Sequence, residues 1–229
     1  MGKANGLLWG KTAVITGSTR GIGRAIAMEY AKESADLLLL GRDKASLDEG
    51  DALAPDFDSK VAERVASRVD VLVNRITSTP DQHDSIFEAD VDTWDKMIAL
   101  NLIVPMRLTH ALAPSLAQRQ GGGYIINISS MAGLRASKYN AAYSASKWGL
   151  TGWSKNSFEE LKEHNIRVTT IFPAYVASDM TKEVRIDNEK MILPEDVALA
   201  ALLPFQMSEY ACPTDIVIGN TVKLKKPQQ

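Results

Sequence analysis

KTAVITGSTRGIGRAIAMEYA, residues 11–31, changes its periodicity part-way along. Residues 11–16 are a β-branched, apolar run of strand length, whereas Ile22 to Ala31 repeats its apolar residues at helical spacing. Between them Gly17, Ser18, Thr19, Arg20, Gly21, Ile22 and Gly23 form a turn with glycines spaced G-x-x-x-G-x-G. Glycines allow a backbone to approach a diphosphate without interference from Cβ atoms, and the following helix turns its free N–H groups and positive dipole end toward that anion. Strand, glycine turn and helix in direct succession give such a triplet its meaning as a dinucleotide site.

Further strand-length apolar runs lie at 35–40, 69–73, 124–129 and 167–172, with a last strand within 212–218. Helical patterns fall at 58–68, 91–118 and 141–163, and another helix opens at Pro194. Buried strands alternating with helices predict a doubly wound α/β fold, a parallel sheet covered on both faces. The expected organisation is a single Rossmann-type domain over 1–229 with short tails. The connection from Arg42 to Asp70 is short for two crossovers and a strand. It is read as a stub helix at 44–50, a strand near 52–56 and the helix at 58–68.

The second strand ends Leu40-Gly41-Arg42. An NAD-reading fold usually carries a carboxylate there for the ribose 2′-hydroxyl, and a 2′-phosphate requires positive charge instead. Gly41 removes the acid, and Arg42 and Arg20 supply two guanidiniums, so NADP(H) is the expected cofactor.

Composition narrows the classes of function. Hydrophobic residues make up 45% and charged residues 24%, and 26 Lys+Arg against 28 Asp+Glu leave a formal charge of -2. That balance argues against disorder and against nucleic acid as the main partner. Cys212 is the single cysteine, and it and the three histidines lack zinc-site spacing, so no metal is expected and a reducing, cytoplasmic location is. No stretch reads as a signal peptide or a membrane span.

Tyr143 and Lys147, four apart in an Ala-rich helical segment, project from one face. An ammonium beside a phenol favours its phenolate and makes it a usable proton donor. Ser130 ends the 124–129 strand, on the side where strands of such folds meet their ligand.

Together, T-G-x-x-x-G-x-G at Thr16–Gly23, N-I-S-S at Asn127–Ser130 and Y-x-x-x-K at Tyr143–Lys147 resemble the short-chain dehydrogenase/reductase family, over roughly residues 9–220. The resemblance implies a reductase of ketones or aldehydes, 3-oxoacyl groups among them, assembled as a homodimer or homotetramer. It implies that Ser130 bonds the substrate carbonyl, Tyr143 gives the proton, and Lys147 tunes Tyr143 and holds the nicotinamide ribose. Asn101 matches the family's helix asparagine, which supports a water-linked proton relay to the lysine. Pro173, Val176 and Ser178 match the segment that holds the carboxamide, and Asp56 the acid beside the adenine.

Asn74-Arg75-Ile76-Thr77 departs from the family's Asn-Asn-Ala-Gly, though Asn74 itself is kept as a cofactor-side residue. The side chains of Ile76 and Thr77 are expected to crowd the adenosine and weaken binding. With the short 42–70 connection, this raises an alternative: a degenerate family member with an interaction or regulatory role. Residues 177–191 are expected to form an apolar lid containing Met180, Val184, Ile186 and Met191, with Ile192 just beyond. Leu108, Leu112, Trp148, Trp153 and Phe158 would mark the oligomer face if exposed.

Overall fold

The structure is a computed structural model that describes residues 6–41, 48–49, 51–65, 68–78, 86–136, 140–178 and 190–221. Seven parallel strands form one sheet, in the order β3-β2-β1-β4-β5-β6-β7. They are β1 (Thr12–Thr16), β2 (Asp36–Gly41), β3 (Asp48–Glu49), β4 (Val71–Asn74), β5 (Gly123–Ile128), β6 (Ile166–Pro173) and β7 (Asp215–Ile218). The helices are α1 (Gly21–Lys32), α2 (Phe57–Val65), α3 (Val91–Ile98), α4 (Val104–Ala117), α5 (Ala141–Leu161) and α6 (Pro194–Gln206). Strand order reverses between β1 and β4, where Val14 pairs with Leu72. In sheets of this kind that reversal opens the ligand crevice beyond the strands' carboxyl ends.

The central strands are buried along most of their length because both faces are covered. Val71 and Val73 of β4 pack with Ile26, Tyr30, Val197 and Leu202 of α1 and α6. Leu72, one step out of phase, joins Val61, Leu108, Leu112 and Leu116 of α2 and α4 on the other face. Leu8 is fully buried in the α1/α6 layer, so the segment before β1 docks against the body.

The short connection differs from the expectation. Residues 48–49 are strand where a stub helix was expected, and 52–56 is turn instead of strand. Residues 52–56 lead by turns straight into α2, and β3 pairs with β2 only at Asp48 and Glu49. The 91–118 pattern is also not one uniform helix. A π-helical segment, Ala99–Ile103, separates α3 from α4. Pro105 accounts for it, because proline has no N–H for the Asn101 carbonyl and its ring crowds that oxygen.

Candidate active site

The glycine turn is tightly wound. Gly17 and Gly21 have φ of +62° and +53°, where a Cβ is strained. A Cβ on Gly23 would lie 2.2 Å from the Gly17 carbonyl oxygen, so α1 starts directly against the turn. Ser18 is buried, and both its N–H and its hydroxyl donate to the Leu40 carbonyl at 3.2 Å, which locks the turn to β2. Thr19 is half-buried and Arg20 exposed, while Ile22 packs on the core. Arg20 caps α1 with no side-chain bond, and the first turn of α1 holds no acidic residue. The leading N–H groups are therefore available to an anion.

Opposite the turn, α5 presents Tyr143 and Lys147 one helical turn apart. Lys147 is 1% exposed. Its Nζ donates to Thr77 Oγ1 at 3.0 Å and to the Ile128 carbonyl at 3.1 Å, and lies 5.8 Å from the centre of the Tyr143 ring. Burial, followed by repulsion from Arg75, brings its pKa down to about 7. Burial raises the Tyr143 phenol above its ordinary value, against a hydrogen bond with the Ser130 side chain and the positive charge of Arg75. Ser130 also accepts from the Ala132 N–H at 3.2 Å, at the opening of a single 3-10 turn. Ser130, Tyr143 and Lys147 thus converge beyond the end of β5.

Asn101 lies in the π segment and is fully buried. Its side chain accepts from the Ser78 N–H at 2.7 Å and donates to the Ser78 carbonyl at 2.9 Å and to Ser146 Oγ at 3.0 Å. Ser146 in turn donates to the Tyr143 carbonyl at 2.7 Å. Asn101 therefore holds the loop carrying Thr77 and the helical turn carrying Tyr143 in fixed relation.

Asn74 is buried and donates to Asn127 Oδ1 at 2.9 Å; Asn127 donates to Ser154 Oγ at 2.8 Å. This chain of bonds ties β4 and β5 to α5, while Asn74 Oδ1 itself has no partner among the described residues. Pro173 ends β6, Val176 is buried and bridged to Ile192, and Ser178 approaches the turn, its Cβ 3.9 Å from a Cβ built on Gly21. Asp56 is exposed at the entry to α2, with its carboxylate on Lys60 at 2.7 Å and its pKa lowered chiefly by that contact. Arg42 lies outside the described residues.

The residues after β4 point three ways. Ile76 does not crowd the turn; it packs on the α2/α4 core layer, and Thr77 is a partner of Lys147. Of the three, Arg75 is the one that reaches the glycines. Of the expected lid, Met191 and Ile192 are buried at 6% and 7%, Ile192 being fixed by its bridge, and Met180, Val184 and Ile186 lie outside the described residues. The sequence reading also missed Thr16 as a positioning residue: its Oγ1 accepts from the N–H groups of Arg75 at 2.8 Å and Ile76 at 3.2 Å. Its place as the last residue of β1 was the available signal.

Residues 11–189 match the family model for short chain dehydrogenases. The chain belongs to the short-chain dehydrogenase family. An uncharacterised oxidoreductase of Staphylococcus saprophyticus is 30% identical to this short-chain dehydrogenase over 228 residues, covering 91% of this chain and 96% of the relative. A 3-oxoacyl-(acyl-carrier-protein) reductase of Chlamydia trachomatis is 30% identical over 231 residues, covering 86% and 91%. Among solved structures, one from Beutenbergia cavernae, assigned as an NAD(P)-dependent gluconate 5-dehydrogenase and holding NADP at low occupancy, aligns with a TM-score of 0.81 at 28% identity. It covers 92% of this short-chain dehydrogenase and 95% of its own chain.

Proposed function

We propose that this oxidoreductase reduces a ketone or aldehyde to the alcohol with NADPH, Tyr143 acting as the proton donor. The observation that carries the reading is the convergence of Ser130, Tyr143 and the buried Lys147 beyond the end of β5, together with a glycine turn packed so tightly on α1 that a Cβ at Gly23 would strike the Gly17 carbonyl. These residues fit a dinucleotide: the turn and uncapped α1 take a diphosphate, and Ser178 reaches across to the same end. When bound, the nicotinamide supplies a hydride to the carbonyl carbon.

Ser130 donates to the carbonyl oxygen and holds it beside the Tyr143 hydroxyl. As negative charge develops on that oxygen, the phenol transfers its proton to it, and the Ser130 bond together with the charges of Arg75 and Lys147 stabilises the phenolate left behind. Lys147 would also hold the ribose hydroxyls of a bound cofactor, and Asn101 acts as a positioning residue through Ser78 and Ser146. The choice of NADPH over NADH rests on Gly41-Arg42, on Arg20, and on the NADP held by the related structure. Kinship with a 3-oxoacyl reductase makes 3-oxoacyl thioesters the first substrates to try. The intact Asn101, Ser130, Tyr143 and Lys147 argue against the degenerate alternative.

The test is a panel of carbonyl compounds, followed through NADPH and NADH absorbance, with the wild type and Tyr143→Phe. Turnover with NADPH is expected, falling at least a hundredfold in Tyr143→Phe while NADPH affinity stays within a few-fold, since only the donor is removed. If the variant keeps more than about a tenth of wild-type turnover, Tyr143 is not the donor.

A further inference from the structure

The first residue after β4 is arginine where the family pattern has asparagine, and the fold lays this side chain along the glycine turn. The Arg75 N–H is fixed by Thr16 Oγ1 at 2.8 Å. A Cβ built on Gly17 lies 3.1 Å from the Arg75 carbonyl oxygen and 3.2 Å from its Cδ, and one built on Gly21 lies 3.5 Å from its Nη2. The side chain therefore runs from Gly17 to Gly21 and ends at the opening of α1. Its charge is felt by both Tyr143 and Lys147.

The opening of α1 that the guanidinium reaches is the positive end of the helix dipole, and the first turn of that helix holds no acid. An anion seated between the guanidinium and the helix is attracted by both. Even a Cβ built on Gly21 would stand 3.5 Å from Nη2, so the guanidinium lies beside the turn without pressing on it. We propose that Arg75 is a cofactor-binding residue, its guanidinium pairing with the dinucleotide's diphosphate from the side opposite the α1 N–H groups. This rests on the dinucleotide reading above.

The diphosphate is common to NADPH, NADH and ADP-ribose, so Arg75 serves all three alike, unlike a residue that reads the 2′-phosphate. Guanidinium also differs from ammonium in offering a planar fork to two phosphate oxygens.

The experiment measures dissociation constants of NADPH, NADH and ADP-ribose by calorimetry for wild type, Arg75→Asn and Arg75→Lys, with thermal unfolding of each free protein. Arg75→Asn is expected to weaken all three ligands by about tenfold or more and by a common factor, with Arg75→Lys in between. Unchanged or tighter binding in Arg75→Asn means that the side chain obstructs the turn or ignores it, and overturns the proposal. A loss confined to NADPH overturns it as well, by assigning Arg75 to the 2′-phosphate. If Arg75→Asn unfolds at a much lower temperature, Arg75→Lys decides: common weakening supports the diphosphate contact and wild-type affinity removes it. Wild-type protein that binds none of the three would remove the dinucleotide reading and this proposal together. Wild-type binding with unaffected variants removes only the role of Arg75.

Discussion

At the scale of single residues, the site is a set of positive groups held close together by burial. Lys147 illustrates the cost. Below about pH 7 both the folded and unfolded chains carry its proton, and the penalty for burying the ammonium stands in full. Between about 7 and the ordinary lysine value of 10.5 the unfolded chain keeps a proton that the folded chain has released, so stability rises with pH across that window. Lys147→Met is expected to flatten this rise, which urea unfolding of both proteins at about pH 6 and about pH 9 would check. Parallel pH dependences would mean that Lys147 keeps its charge in the free protein.

At the scale of elements, the close contact between turn and helix makes its own demand. Gly23→Ala must push the Gly17 carbonyl away from α1, and overpacking of this kind costs roughly 1–3 kcal/mol. A lowered unfolding midpoint together with weakened NADPH binding is the expected result, and an unchanged midpoint would show that the turn gives way freely. The strands and main helices were legible in the sequence because their periodicity is set by burial on both faces, as in Val71, Leu72 and Val73. Tyr143, Lys147 and Ser130 were legible because i,i+4 spacing and a strand end fix where side chains point. The turns at 52–56 were not, since a two-residue strand leaves no periodicity to read. Nor was the direction of the residues after β4. Ile76 turns to the core and Thr77 to Lys147, and the Arg75 side chain lies along the turn.

At the scale of the whole molecule, Leu108 and Leu112 drop out of any association surface, being 1% and 0% exposed. Trp153 and Phe158 are half-buried. Trp148 remains, 52% exposed, with Ala145 and Gly152 on the same exposed side of α5 and Ile103 at 41% on the neighbouring π segment. Gly149 lets that segment come close, since a Cβ there would meet Leu102 Cδ2 at 2.7 Å. An apolar, largely small-residue helix face of this sort suits a two-fold partner helix. Light scattering is expected to give a multiple of the chain mass for wild type and the mass of one chain for Trp148→Glu; a monomeric wild type at micromolar concentration would contradict it. The π segment affects the molecule more widely. An α-helix turns by about 100° per residue, so one surplus residue at Ala99–Ile103 re-aims everything on one side of it relative to the other. One rod can thereby present α3 to α5 and α4 to the sheet. No point substitution reproduces such a rotation. The register of this helix is inherited all at once, and a lineage that lost one residue there would lose the seat of Asn101 and the packing of α3 in the same event.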